Sequence, residues 1–285
     1  MANHISRFRP TFSDGSWDLG LSVPHFYSLL DSCQYCSIPT FNARTSTYDS
    51  SLQILHVNTR SLPKNFDHLN YLINDLKCKP QLILISESWL DNSQTGSYII
   101  PGYRLESSCP NLFRGKGSAI YISNNIKYIR RRDLESDSLQ HQSVFLEIQI
   151  QNTKFIVASL YRSPSYHSEI FMNFLESSLE TISSESKVAL LGGDFNIDLM
   201  QYDRVEHCSE FLNTILSFGF FPCVSLPTMI SSTSSTLIDN FICNDLSLVS
   251  PCTILIDDIS DHLPINITLN IKAPVVEPKR QTSVH

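Results

Sequence analysis

Residues 187–199 read KVALLGGDFNIDL, an apolar run that empties into a tight turn carrying Asp194, Asn196 and Asp198. Val, Ala and Leu in a short unbroken run, closed by glycines, have the length and character of a buried strand. Strand ends are where an α/β fold places chemistry, because the loop is exposed while the scaffold behind it stays rigid. An acid and an amide two residues apart suit such a site, although an Asx turn uses the same residues.

Outward from that turn, apolar runs of strand length recur. LQILHV and QLILIS flank a helical pattern in which Phe66, Leu69, Leu72, Ile73 and Leu76 share one face. GSAIYIS, SVFLEIQI and TKFIVASLY follow, the last two separated by a hairpin-like QNT. A second helix carries Ile170, Phe171, Phe174, Leu175, Leu179 and Ile182, and a third Phe211, Leu212, Ile215 and Leu216. STLIDNFIC, PCTILI and INITLNI complete the strands. Helices and hairpins mix without strict alternation, which favours an α/β sandwich with mixed sheets over a doubly wound or barrel plan.

The chain has 285 residues, 42% hydrophobic and 17% charged, enough for a sizeable core. Residues 1–50 read as a poorly ordered lead-in with a short helix at HFYSLLDS, residues 51–272 as the domain, and 273–285 as a flexible tail. The net charge of −7 withholds the basic balance usual in nucleic-acid binders, so contact with a polyanion needs a local patch or a cation. No secretory signal and no apolar stretch of about 18 residues is seen, so an intracellular protein of nucleus or cytoplasm, with reduced cysteines, is expected. Cys33 and Cys36 have the spacing of a half zinc site, but no second ligand pair lies nearby, and two ordinary cysteines is the better reading.

Polar residues close several of these runs: Asn58, Glu87, Tyr161 with Arg162, Asp194 with Asn196, Asp239, and Ser260, Asp261 and His262. Each alone has an ordinary explanation, as a turn cap, a satisfied core hydroxyl or a structural histidine. Glu87 and Asp239 are harder to explain so, since a carboxylate within a Leu- and Ile-rich run is costly if buried without a partner. Together they make a carboxylate-rich site with one histidine, and no serine elbow or phosphate-binding glycine loop accompanies it. Hydrolysis of a phosphodiester by water suits that set: a hard cation on Glu87, a carboxylate to activate water, and Asn, His and Tyr to meet developing charge.

HVNTRSL, ISESWL, LYRSP, GGDFNIDL, STLIDNFI and SDHLPI, in that order, resemble the endonuclease/exonuclease/phosphatase superfamily, and most closely the apurinic-type endonuclease domain of non-LTR (LINE-like) retrotransposons. The likeness covers roughly Leu52 to Lys272. It implies a four-layer α/β sandwich of two mixed sheets flanked by helices, and Mg²⁺ as cofactor, with Mn²⁺ as an alternative. It also implies a metal-binding Glu87 supported by Asn58 and Asp261, and Asp194 as the activator of water. Asn196 and Tyr161 would act at the phosphate or leaving group, and Asp239 would orient His262 against a phosphate oxygen. The implied reaction nicks DNA and leaves a 3′-hydroxyl, which in a parent element primes a reverse transcriptase that these residues do not include.

Two departures point away from abasic-site repair: Arg60 stands where the repair enzymes carry an acid, and Pro164 where they carry an Asn. Candidate DNA contacts are Arg60, Lys64, Arg114, Lys116 and Arg162, with Arg130, Arg131 and Arg132 as a further basic run. A phosphatase or other phosphodiesterase of the same superfamily, and an inactive element-derived binding protein, are the alternative readings.

Overall fold

The computed structural model describes residues 6–10, 23–45, 51–91, 95–108, 116–165 and 169–274. In chain order these form α1 (Val23–Ser32), β1 (Gln34–Ser37), α2 (Ile38–Arg44), β2 (Ser51–Asn58), α3 (Leu62–Asp75) and β3 (Leu82–Ser86). Then come β4 (Tyr103–Ser107), β5 (Ser118–Ser123), β6 (Lys127–Arg130), β7 (His141–Ile150), β8 (Thr153–Arg162), α4 (Glu169–Ser184) and β9 (Val188–Asp194). The rest are α5 (Glu206–Ser217), β10 (Phe221–Pro222), β11 (Met229–Ile230), β12 (Ser235–Thr236), β13 (Asp239–Cys243), β14 (Thr253–Ile256) and β15 (Ile265–Lys272).

One sheet has seven strands in the order β1-β14-β15-β2-β3-β5-β4, the other six in the order β10-β13-β9-β8-β7-β6, and β11 and β12 pair as a small hairpin. Both large sheets are mixed: β2 and β3 run parallel, as do β8 and β9, among otherwise mostly antiparallel neighbours. This is the mixed α/β sandwich expected from the strand and helix pattern.

Strand alternation explains the layers. In β2, Leu52 and Ile54 join the core between the sheets while Leu55 and Val57 join the core beneath α3. In β3, Leu82 and Leu84 face inward and Ile83 and Ile85 meet Leu69, Leu72 and Ile73 of α3. The apolar face of α4 (Phe171, Leu175, Leu179, Ile182) and that of α5 (Phe211, Leu212, Ile215, Leu216) pack onto the six-stranded sheet. Ile170, expected on the apolar face of α4, is 52% exposed, because it lies in the first turn beyond the reach of the sheet.

The same parity that sends Leu52 and Ile54 inward also sends His56 and Asn58 inward, and Ser86 follows Leu82 and Leu84. Apolar filling therefore gives way to hydroxyls at one end of the sandwich. There Ser118 Oγ donates to Ser159 O at 2.7 Å, and Ser159 Oγ donates to Ile85 O at 3.1 Å. Small side chains let the two sheets approach at that end, and within the six-stranded sheet Gly193 lets β9 lie close to β8: a Cβ on it would lie 1.8 Å from Leu160 O.

The reading of residues 1–50 as a loose lead-in is corrected for residues 23–45: the short helix expected at HFYSLLDS is present as α1, but the segment is packed into the fold. β1 pairs in parallel with β14 from Gln34↔Thr253 to Ser37↔Ile256, and Phe26, Leu30 and Cys33 of the same segment are buried in the inter-sheet core. Ser, Thr and Pro around these elements conceal an edge strand of four residues. Expectations for residues 1–5, 11–22, 46–50 and 275–285 fall outside the described residues. Cys33 packs in the inter-sheet core and Cys36 in the core under α3, so the pair faces two different layers, not one metal. No described helix is long and apolar enough to cross a membrane.

Candidate active site

Register brings the polar strand ends together. Across β8, β9 and β13, Tyr161 lies opposite Asp194 and Asp194 opposite Asp239, so three neighbouring strands each supply one polar residue on a single rung. On the facing sheet Asn58 lies opposite Ser86, and Glu87 follows at the next position. The sheets meet through side chains: Asn58 Nδ2 donates to Glu87 Oε1 at 3.0 Å and to Asp194 Oδ2 at 2.9 Å. The backbone N–H of Asp194 donates to Ser86 Oγ at 3.1 Å.

The turn after β9 folds around its own acid. Asn196 N–H donates to Asp194 Oδ1 at 2.9 Å and its side-chain amide to Asp194 Oδ2 at 3.1 Å. Asn196 has φ 48°, a left-handed conformation that Asn tolerates better than most residues. Arg60, Ser61, Glu87 and Trp89 also have positive φ, so strained backbone gathers in the loops around these carboxylates.

His262 reaches the cluster from the loop before β15. Its Nδ1 lies 2.8 Å from Asp239 Oδ2, which also accepts the Thr228 hydroxyl at 2.7 Å. Ser260 ties the loop down, its hydroxyl donating to Asn58 O at 2.7 Å and accepting the His262 N–H at 3.1 Å.

Burial and charge set the protonation states. Asp194 is fully buried, and desolvation with the charges of Asp239 and Glu87 holds its carboxyl well above the ordinary range. Asp239 is also fully buried, yet the charge and hydrogen bond of His262 outweigh desolvation and keep it low. Burial alone would lower His262, but Asp239 at hydrogen-bond distance, with Asp194 and Asp261, raises it to about 9. The imidazolium and the Asp239 carboxylate form a buried ion pair. Burial and the charges of Glu87 and Asp194 raise the Tyr161 phenol, which stays protonated as a donor.

Glu87, Asp194 and His262 present ligand atoms that all lie within 4.8 Å of one another. Two carboxylates this close, one with its proton affinity raised by neighbouring charge, suit a hard divalent cation, which would relieve that repulsion. The expected metal set of Glu87, Asn58 and Asp261 is thus only partly assembled. Asn58 bridges Glu87 and Asp194, whereas Asp261 turns to Arg60, whose Nε lies 2.9 Å from its Oδ1.

The basic residues divide. Arg60 is half exposed at the rim, paired with Asp261 and 4.0 Å from Glu87, and Lys64 is exposed in the first turn of α3. Lys116 contacts Leu139 O, and Arg114 falls outside the described residues. Arg162 is corrected: it is 5% exposed, and its guanidinium donates to the carbonyls of Phe195 at 2.7 Å, Asn196 at 2.6 Å and Ser163 at 3.2 Å. It therefore clamps the Asp194–Asn196 turn from behind. Arg130 and Arg131 pair with Glu106, Glu135, Asp133, Glu147 and Glu185 in a structural ion-pair network, whereas Arg132 is exposed.

Sequence reasoning missed Ser86, Thr228, His56 and Trp89. His56 is fully buried, its Nε2 2.9 Å from Ser86 Oγ, and burial lowers its pKa to about 4. A histidine at an inward position of an otherwise apolar strand was the available signal. Trp89, two residues beyond Glu87, is 40% exposed with its indole N–H 3.3 Å from Glu87 Oε2.

No curated protein matches the chain. Among solved structures, the endonuclease domain of TRAS1, a telomere-specific non-LTR retrotransposon, superposes with a TM-score of 0.60 at 15% identity, covering 78% of this chain and 99% of that one. The AP endonuclease LMAP of Leishmania major gives 0.63 at 14% identity, covering 89% and 100%, and an AP endonuclease of Archaeoglobus fulgidus gives 0.55 at 15%, covering 77% and 100%. Identities this low establish a shared fold. The family profile for endonucleases, exonucleases and phosphatases matches residues 40–262, the span that contains every element of the cluster from Asn58 to His262. On that match, and on the sandwich that carries it, the chain belongs to the endonuclease/exonuclease/phosphatase family.

Proposed function

We propose that this chain is a divalent-metal-dependent DNA endonuclease that hydrolyses one phosphodiester and leaves a 3′-hydroxyl, as in target-site cleavage by a non-LTR retrotransposon. The observation that carries the reading is the convergence of Asn58, Glu87, Tyr161, Asp194, Asp239 and His262, from both sheets, on one cluster. The likeness to the TRAS1 endonuclease domain supports the choice of DNA over other phosphodiesters.

In this reading Glu87 and Asp194 would hold Mg²⁺, or Mn²⁺ in its place, and the bound ion would neutralise charge on the scissile phosphate. Asp194, with its proton affinity raised by burial and neighbouring acids, accepts a proton from the attacking water. Asn58 fixes one Asp194 oxygen and Asn196 both, so the carboxylate cannot rotate away from the line of attack. His262, held by Asp239, donates to a non-bridging phosphoryl oxygen as negative charge develops there. The protonated Tyr161 donates on the same rung. Arg60 and Lys64 meet flanking phosphates at the rim, contacts that position DNA without reading its sequence.

End-group analysis tests the reaction type. A nicked duplex whose new 3′ end a polymerase extends without prior treatment is the expected product. Release of inorganic phosphate from 3′-phosphorylated ends, with intact duplex untouched, would move the assignment to a phosphatase.

A further inference from the structure

Two buried polar atoms face each other behind the Asp239–His262 pair. Asp239 Oδ2 accepts from both Thr228 and His262, while Asp239 Oδ1 has no hydrogen-bond partner. His56 Nδ1 likewise has none, and the two lie 3.9 Å apart. Both residues are fully buried, so bulk solvent reaches neither atom. An unsatisfied buried donor or acceptor is destabilising, and two that face each other lose that cost together when they close to hydrogen-bond distance.

The proton on His56 is assigned by its other nitrogen. Ser86 Oγ accepts the Asp194 N–H at 3.1 Å and has one hydrogen to donate. Its nearer acceptor is His56 Nε2 at 2.9 Å, against 3.2 Å to Leu160 O. A hydroxyl that donates to Nε2 leaves the neutral imidazole protonated at Nδ1, the nitrogen that lies 3.9 Å from Asp239 Oδ1.

We propose that His56 is a positioning residue for the reaction proposed above, an Nδ1–H donor to Asp239 Oδ1 that fixes the plane of the carboxylate orienting His262. This rests on the nuclease reading for its consequence in catalysis, and on geometry alone for the contact. The chain of hydrogen bonds then runs from the Asp194 backbone through Ser86 and His56 to Asp239 and His262, and ties strands of the two sheets to one imidazole. His56 touches neither substrate nor metal. Its effect passes through the orientation of Asp239, as outer partners of active-site histidines generally act.

The test uses the full chain with ¹⁵N-labelled histidine, in wild type, His56→Leu and His56→Asn, the last keeping an N–H near the Nδ1 position. Long-range ¹H–¹⁵N spectra of wild type should show His56 protonated at Nδ1 and bare at Nε2. His56→Leu should displace the His262 resonances and lower kcat for nicking about 10- to 100-fold with KM unchanged. His56→Asn should bring both back toward wild type. A bare Nδ1 in wild type overturns the proposal, as does a folded Leu variant with unaltered His262 signals and kcat. If the Leu variant does not fold, the wild-type tautomer and the Asn variant decide. Should wild type cleave no DNA, the nuclease reading fails while the spectra still decide the contact.

Discussion

Arg162 shows how a single residue changes meaning once its surroundings are known. As a cation after a strand it suggested a phosphate contact, yet its guanidinium donates to three backbone carbonyls under the Asp194–Asn196 turn. Arg162→Met should lower stability by about 2–4 kcal/mol, because it strips buried carbonyls of their charged donor. Denaturant unfolding checks the loss, and the salt dependence of DNA binding should not change. Glu87 carries a second prediction. Saturating Mg²⁺ should raise Tm, and Glu87→Gln should abolish the shift, since the ion relieves repulsion that the amide no longer creates. A Tm insensitive to Mg²⁺ in wild type would remove the metal assignment. Most of this site was legible because acids and amides closing apolar runs are conspicuous. Thr228 and Ser86 were not, since hydroxyls are common everywhere and only the register shows which ones face a carboxylate.

At the scale of the strands, the paired glycines of β9 matter for approach, not for flexibility. Gly192 would place a Cβ 2.6 Å from the Phe241 ring, and Gly193 would place one 1.8 Å from Leu160 O, a backbone atom that cannot swing aside. Gly193→Ala should therefore part β8 from β9 and cost about 3 kcal/mol, measured by urea unfolding, with activity lost beyond that because the Tyr161–Asp194 rung opens. The inner strands β2, β3, β7, β8 and β9 were legible from their apolar runs. The edge strands β1, β4, β6 and β10 were not: at two to five residues with half-exposed faces they lack a readable period, and tertiary pairing creates them.

For the whole molecule, buried histidines tie stability to pH. His141 is 1% exposed, stacked on Phe174 at 4.3 Å between ring centroids, and burial lowers it to about 4 from 6.5. Between those values the unfolded chain binds a proton that the native state excludes, so this contribution is complete above about pH 6.5 and is lost as pH falls toward 4. The loss is about 3 kcal/mol for such a shift. His141→Phe should lose correspondingly less stability than wild type over that interval, and parallel curves for the two proteins would contradict the assignment. With a net charge of −7, the proposed contact with DNA would rest on a few rim cations and a metal.

The central claim is that the cluster from Asn58 to His262 cuts DNA, and nicking of supercoiled plasmid tests it most directly. Purified protein with Mg²⁺ should convert supercoiled DNA to open circles, and EDTA, Asp194→Ala and His262→Ala should each reduce the rate by at least about a hundredfold. Folded wild type that leaves the plasmid intact with Mg²⁺ and Mn²⁺, or an Asp194→Ala protein that nicks as well as wild type, would contradict it.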